Sequence, residues 1–576
     1  MFRKKSAAAL SLFLLIFIFP VSCSDTPEAA LEKPELLKKH CNKYIGKPRV
    51  EKISKHVWMA AGYDLANTLL INTKKGNIII DPAMSPTRAR EIKKALLAEA
   101  PNAPVRAIVY THSHIDHIGG AVVWAEKGTR IWATKNFIPH LFKQYNLFSP
   151  IETIRGRRQF GDNVSLENLP CNGIGRRTDI RAALKNGVML PTDTFTGEKK
   201  LTLGGLEVHL IEAHGETHDQ LIVWIPADKT LIAGDNFYWT FPNLYTIRGT
   251  SPRPVGQWIK SIDQMRRLAP VHLAPCHTIP VHGSKKINEI LTDYRDAIQW
   301  VHDETVRGAN KGHDVDTLAE TIALPDHLKS KHYNREFYGQ VDWSVRAIYS
   351  NNLGWFDGRP EALYPPRTRE AALREITMMG GAAKVIGAAK SAAEKKDYRW
   401  ALHLLAKVKR SGHEGSELTD TLAAVMEKLG GTLYNLNGRG YLLESARETR
   451  NGAVEYPAPT YRKAMASRIP LELIFSQMEV RLKTEKTMDV HESVHFNFPG
   501  EKQKFIVTVR RGICEAVKGA PLPGTPKPIA VVTVDARTWR YMALKIISPV
   551  KAVTSGKLKV TGSKVGFLSF MRRFEM

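Results

Sequence analysis

Apolar positions fall in short alternating runs through the first half of the chain, recur at helical spacing in the third quarter, and alternate again near the end. Residues 57–59 form a short apolar run, and 67–71 and 77–80 flank a Lys75-Gly76 turn, which predicts a hairpin ending at Asp81-Pro82. Residues 87–100 carry apolar positions at helical spacing, and the unbroken run 105–110 reads as a buried strand. Further strands are predicted at 206–211, at 231–233 and just before His277, with a helix over 255–268. Hairpins followed by helix–strand alternation predict an α/β sandwich. The stretch 137–200 is less regular. Its segments Arg155-Gly156-Arg157-Arg158-Gln159-Phe160-Gly161 and Arg176-Arg177 read as basic loops, either solvated or forming a lid over an anionic substrate.

The character changes after residue 284. Residues 287–309, 382–395 and 400–410 show helical patterns, and an Ala- and Leu-rich block over 367–428 reads as helical hairpins. From about Leu471 strands return: Val494, Phe496 and Phe498 alternate, as do Phe505, Val507 and Val509, and 529–534 continues them before an amphipathic end at 567–574. This divides the chain into an α/β region at 50–284, a helical region at 285–435 and a small α+β region at 465–576.

At 576 residues the chain has room for several cores, and 43% hydrophobic residues fit a folded protein. The net charge of +26 admits nucleic acid, an anionic membrane or an anionic substrate as partner. No dense Lys/Arg run interleaved with aromatics and no nucleic-acid module is present, so an anionic substrate is favoured and nucleic acid is not expected. Met1-Phe2-Arg3-Lys4-Lys5 followed by an apolar run over 7–21 predicts a secretory leader, too short to span a membrane comfortably. Apart from Cys23 at its end, Cys41, Cys171, Cys276 and Cys514 match no disulfide scaffold by spacing, so no pair is predicted even though export permits bridges.

The candidate chemistry centres on Thr111-His112-Ser113-His114-Ile115-Asp116-His117-Ile118-Gly119-Gly120, placed where the 105–110 strand ends. His112 and His114, two apart on extended backbone, point the same way, and Asp116 and His117 lie beyond the turn, so one segment can serve two adjacent metal ions. The glycine pair admits close backbone approach. Three more polar segments follow predicted strands: Gly215-Glu216-Thr217-His218, Gly234-Asp235-Asn236 and Cys276-His277.

The first motif resembles the signature of the metallo-β-lactamase superfamily, whose fold is an αββα sandwich with one or two metals at one edge. In most of that superfamily a His directly follows the Gly of the second loop; here the position holds Glu216, with His218 as a rival. A carboxylate there resembles the alkylsulfatase branch, enzymes that hydrolyse sulfate esters of alkyl chains. The stretch Asn243-Leu244-Tyr245-Thr246-Ile247-Arg248-Gly249 is similar to that family's segment after the bridging acid, in which the Arg contacts sulfate. The resemblance implies one metal on His112, His114 and Glu216 and a second on Asp116, His117 and His277, with Asp235 and a hydroxide between them and Asp81 bracing the loop. It implies a catalytic set of Arg248, Asp116, Asn243 and Tyr245. Two Zn²⁺ are the expected cofactors, with Mn or Fe as alternatives because three carboxylates loosen the preference.

The later regions resemble the alkylsulfatase dimerisation domain and the sterol carrier protein-like domain that ends alkylsulfatases, implying a homodimer and an apolar groove that holds an alkyl tail or packs the dimer. The expected architecture is therefore an αββα sandwich, an all-α dimerisation domain and a small α+β domain. The expected activity is hydrolysis of alkyl sulfate esters. The alternatives are hydrolysis of an alkyl phosphate, lactone or β-lactam, or a non-catalytic amphiphile-binding lipoprotein. No residue decides between primary and secondary esters, or between S–O and C–O cleavage. Pro20-Val21-Ser22-Cys23-Ser24 resembles a bacterial lipobox with Pro20 in place of the usual Leu, so a periplasmic protein is expected, either lipidated at Cys23 or simply cleaved nearby.

Overall fold

The computed structural model describes residues 35–144, 147–179, 182, 187–456 and 463–575. The leader and Cys23 lie outside the described residues.

Seven strands form the first sheet in sequence order: β1 (Arg49–Lys52), β2 (Val57–Ala61), β3 (Thr68–Thr73), β4 (Gly76–Ile80), β5 (Val105–Val109), β6 (Arg130–Thr134) and β7 (Asp193–Phe195). The hairpin pairs Leu69 with Ile80, and from β4 onward neighbours run parallel. The second sheet holds β8 (Glu198–Leu203), β9 (Leu206–Glu212), β10 (Leu221–Ile225), β11 (Thr230–Ile232), β12 (His272–Ala274) and β13 (Val281–His282), in reverse sequence order.

The period-2 alternation of side chains explains how these sheets stack. Ile78, Ile80 and Val109 from the first sheet meet Val208, Leu210, Leu221 and Val223 from the second in one buried core. Ile79 and Ile108, facing the other way, pack with Ala89, Ile92 and Leu96 of the helix Pro86–Glu99. On the outer face of the second sheet, Ile222, Trp224 and Leu231 pack with Trp258 and Ile262 of the helix Val255–Arg267. The result is an αββα sandwich.

Three expectations are corrected. The helix Ser284–Asn310, assigned by composition to the helical region, buries Ile287, Leu291, Tyr294, Ile298 and Val301 in the core of the second sheet and is part of the sandwich's outer layer. Its apolar stripe shows that one face is buried, but not against what. The 155–161 segment is the end of a helix, Ser149–Phe160, with Pro150 in its first turn and Gly161 (φ 59°) closing it in the left-handed conformation. Its cations are engaged: Arg155 Nε donates to Ile247 O at 3.0 Å, Arg158 pairs with Glu448 at 2.7 Å, and Arg157 lies 3.9 Å from the Tyr456 ring centroid. Finally, Cys41 and Cys171 form a disulfide, 130 positions apart in sequence, a pairing that spacing alone does not reveal.

Helices Thr368–Met378, Ala382–Glu394, Tyr398–Arg410, Ser416–Thr432 and Leu436–Asn451 share a core around Ile376, Val385, Leu405, Leu422 and Ala446. The C-terminal sheet contains β14 (His491–Phe498), β15 (Gln503–Arg510), β16 (Ile513–Lys518), β17 (Pro528–Val534) and β18 (Leu558–Gly562), with β14 at its centre between β15 and β17. Its alternating Val494, Phe496 and Phe498 face Phe475, Trp539, Phe567 and Phe570 from the covering helices. Among the described residues no helix is long and apolar enough to cross a membrane.

Candidate metal centre

Four loops, leaving the ends of β5, β9, β11 and β12, bring the predicted ligand-type residues together at one edge of the sandwich. The glycines of the first loop are required there: a Cβ on Gly119 would lie 1.7 Å from Met84 O, and one on Gly120 would lie 2.0 Å from Pro82 O. The motif thus packs directly on the backbone that follows Asp81. Asp81 itself adopts φ 52° and accepts hydrogen bonds from Thr111 N (2.8 Å), Thr111 Oγ1 (2.7 Å) and His117 Nδ1 (2.7 Å). A left-handed conformation at a non-glycine residue is strained, and here three hydrogen bonds hold it.

The donor atoms converge in overlapping sets. His114, Glu216 and Asp235 form one, Asp116, His117 and His277 another, and His112, His117 and Asp235 a third that joins them; within each, one ligand atom per residue lies within 4.8 Å of the others. Asp235 Oδ2 is 3.1 Å from His277 Nε2, 3.5 Å from His117 Nε2 and 3.7 Å from His112 Nε2. His112 Nε2 and His114 Nδ1 are 2.8 Å apart. All seven residues are buried, and His117 Nε2, Glu216 Oε2 and Asp235 Oδ1 have no hydrogen-bond partner. Buried polar atoms are almost always satisfied, so converging orphan donors of imidazole and carboxylate type fit divalent cations.

The electrostatics divide the four imidazoles: burial opposes protonation of His117 and His277, but Asp235 and Asp116 outweigh it and raise both above the usual imidazole range. Burial and the neighbouring His117 hold His112 well below the usual imidazole range, and burial and His112 do the same for His114, so both rings are neutral. Burial opposes ionisation of Asp235, but His117, His277 and His112 outweigh it and keep the carboxyl well below its ordinary value. Burial pushes Glu216 up to about 7 against the pull of Arg253, whose Nη1 lies 2.7 Å from Glu216 Oε1.

Glu216, not His218, faces the cluster. His218 is half-buried and bonds Pro252 O at 3.0 Å instead. Arg248 reaches the cluster, with Nη2 3.2 Å from His114 Nε2. Among residues 241–249 only Arg248 lines the cavity at this centre, and Asn243 Oδ1 and Nδ2 are buried without a hydrogen-bond partner. Asn243 is buried with its backbone N–H on Tyr238 Oη (2.8 Å), and Tyr245 is half-buried.

Several supporting residues carry no motif of their own. Arg253 is buried beside Glu216. Gln159 Oε1 accepts from Thr246 Oγ1 and Arg248 N, both at 2.9 Å, tying the helix Ser149–Phe160 to the Arg248 loop. Asn67 Nδ2 donates to Pro275 O and Thr278 O, bracing the His277 loop, and Leu65 O accepts from His277 Nδ1 at 2.8 Å. None carries a local sequence signal: their partners lie from 37 positions away, for Arg253 and Glu216, to 212, for Leu65 and His277.

The cluster sits at one end of a cavity of about 850 Å³. His114, Asp116, Glu216, Asp235, Arg248 and His277 wall that end, while Ile469, Leu473, Ile474, Met478, Trp539 and Met542 of the C-terminal region line the remainder. The helix Ser149–Phe160 contributes Glu152, Thr153, Gly156, Arg157 and Phe160 to one side.

Three family models match the chain in series: the metallo-beta-lactamase superfamily over residues 61–277, alkyl sulfatase dimerisation over 314–452 and alkyl sulfatase C-terminal over 459–576. A linear primary-alkylsulfatase from Pseudomonas sp. is 32% identical over 530 residues, covering 88% of this chain and 98% of the relative. An (R)-specific secondary-alkylsulfatase from Pseudomonas sp. is 27% identical, covering 88% of this chain and 78% of the relative. Among solved structures, the stereoselective inverting sec-alkylsulfatase Pisa1 from Pseudomonas sp. superposes with a TM-score of 0.85 at 25% identity, covering 95% of this chain and 86% of that one. Sequence likeness along nearly the whole relative, with all three regions in register, means that the chain belongs to the alkylsulfatase family of the metallo-β-lactamase superfamily.

Proposed function

We propose that the chain hydrolyses sulfate esters of alkyl chains at a two-metal centre, one metal on His112, His114 and Glu216, the other on Asp116, His117 and His277, with Asp235 shared. The observation that carries this reading is the meeting of orphan buried metal-binding donors with a cavity whose far walls are apolar. Zinc suits the four imidazoles, and the three carboxylates admit manganese or iron. When bound, such metals supply Lewis acidity and an activated water at neutral pH.

The chain's own groups do the rest. Arg248 presents a planar guanidinium at the metal end of the cavity, a geometry that grips an oxyanion through two parallel hydrogen bonds. Held there, the sulfate oxygens are oriented and their charge is drawn off as the ester bond breaks. Arg253 favours the ionised form of Glu216 despite its burial. The alkyl tail lies along Ile474, Met478, Trp539 and Met542, which exclude water from the ester end. Exposed Trp355, Tyr364 and Met378 in the dimerisation region support a homodimer.

The testing experiment measures metal content and turnover together. About two metals per chain, loss of activity with chelator, and hydrolysis of alkyl sulfate in preference to alkyl phosphate, lactone and β-lactam are expected. A metal-free folded chain, or faster turnover of another ester, overturns the reading.

We further propose export to the periplasm. The leader at 1–21 supports it, as does the Cys41–Cys171 disulfide, because such bonds persist in oxidising compartments. Mass spectrometry of the mature N-terminus distinguishes lipidated Cys23 from simple cleavage nearby, and a retained leader sinks the proposal.

A further inference from the structure

Exposed large apolar side chains concentrate in three places. One is the start of the helix Ser149–Phe160, with Leu147, Phe148, Ile151 and Ile154, and another is the dimerisation region. The third is on the C-terminal region next to the cavity: Val550 and Val553 on the helix Pro549–Thr554, and Val565 and Leu568 on the helix Lys564–Arg572, with Val550 71% and Val565 79% exposed. These two helices are apolar on both sides. Ala552, Phe567 and Phe570 are buried in the domain core, while the four residues above point to solvent.

The segment that carries them, bounded by Asp535 and Glu575, is one-sided in charge. Residues 536–574 contain nine Lys and Arg and no Asp or Glu. Arg540 and Arg573 are paired with Glu501 and Glu492 from other segments. Lys545, Lys551, Lys557, Lys559 and Lys564 are exposed and form no ion pair among the described residues. Lys545, Ser548, Pro549 and Met571 also line the catalytic cavity, so the cationic, apolar face continues from its wall.

We propose that this face docks on an anionic lipid bilayer. Apolar side chains interleaved with lysines match the boundary between acyl chains and anionic headgroups, where each lysine near the surface adds to binding. A second copy of the chain is a poor occupant, because a two-fold contact sets the same patch against itself and here would oppose cation to cation. Resting on the alkylsulfatase reading, the placement also gives single-chain amphiphiles in the leaflet a route into the cavity.

The test is co-sedimentation of the full chain with phosphatidylcholine vesicles, with and without about 30% phosphatidylglycerol. Binding to the anionic vesicles alone, weakened on going from about 0.1 M to about 0.5 M salt, is expected. The variant K551E/K557E/K564E should bind about tenfold more weakly, and V553S/V565S/L568S about threefold more weakly. The leader is common to all three proteins, so the differences report this face. None of the substituted residues lines the cavity, so hydrolysis of a short, monomeric alkyl sulfate should persist and shows that each variant is folded. Equal binding to both vesicle types, or undiminished binding by the charge-reversal variant, overturns the proposal. So does a change in oligomeric mass in either variant, which would assign the face to a second copy. Failure of vesicle binding with intact hydrolysis leaves the alkylsulfatase reading standing.

Discussion

Asp81 Oδ2 lies 2.7 Å from His117 Nδ1, and both residues are wholly buried. The carboxylate accepts a hydrogen bond from Nδ1–H and so orients the ring with Nε2 facing Asp116 at 3.3 Å and Asp235 at 3.5 Å, the nitrogen that would hold a metal. Asp81→Asn keeps the size and tolerates the left-handed backbone, but removes the charge. Metal affinity should fall about 10- to 100-fold, read by competition with a chromogenic chelator. Unchanged affinity would contradict the bracing role.

Arg248 and the carboxylates should separate cleanly. Arg248→Ala is expected to keep its metal and lose about 100- to 1,000-fold in kcat toward alkyl sulfate, as does removal of one preorganised oxyanion donor. Glu216→Ala and Asp235→Ala should instead lose metal. Metal analysis beside kinetics tests both, and an Arg248→Ala enzyme with full activity removes that residue from the mechanism.

Substrate length should be read by the cavity walls. Each added CH₂ that is buried contributes roughly 0.8 kcal/mol, so KM should fall about fourfold per carbon until the cavity is filled. Met542→Trp, which narrows the apolar end, should move that plateau to shorter chains. A KM independent of chain length would show that the tail lies elsewhere.

The N-terminal segment supplies a pH dependence away from the metal centre. His40 is buried, stacked on Phe337 with centroids 4.0 Å apart, with Nε2 bonded to Gly173 O at 2.6 Å and Nδ1 to His332 at 3.0 Å. Burial lowers it to about 4 from an ordinary 6.5. The unfolded chain therefore binds the proton first on acidification. The contribution is fully present above pH 6.5, declines as pH falls, and is exhausted below about 4, a loss of about 3 kcal/mol. Denaturant titrations between these limits should show a shallower slope for His40→Phe than for the wild type; equal slopes refute the assignment.

The sequence by itself determined the local facts. The 3.6 and 2.0 periodicities placed the strands that carry the ligand loops, because a side chain's face follows from its position in its own element. His112, His114, Asp116 and His117 were legible because one short segment supplies them, and Glu216 was preferred to His218 by its place after Gly215. What periodicity cannot state is the partner of a buried face. Only the tertiary structure assigned the helix Ser284–Asn310 to the sandwich, folded the Arg155–Arg158 segment into a helix beside the cavity, and brought Arg248 to His114. The same holds for the Arg253–Glu216 pair, the Gln159 tie to the Arg248 loop and the Cys41–Cys171 bond. Each joins segments that the chain sets apart, and no local pattern encodes a contact whose two halves meet only after the core has closed.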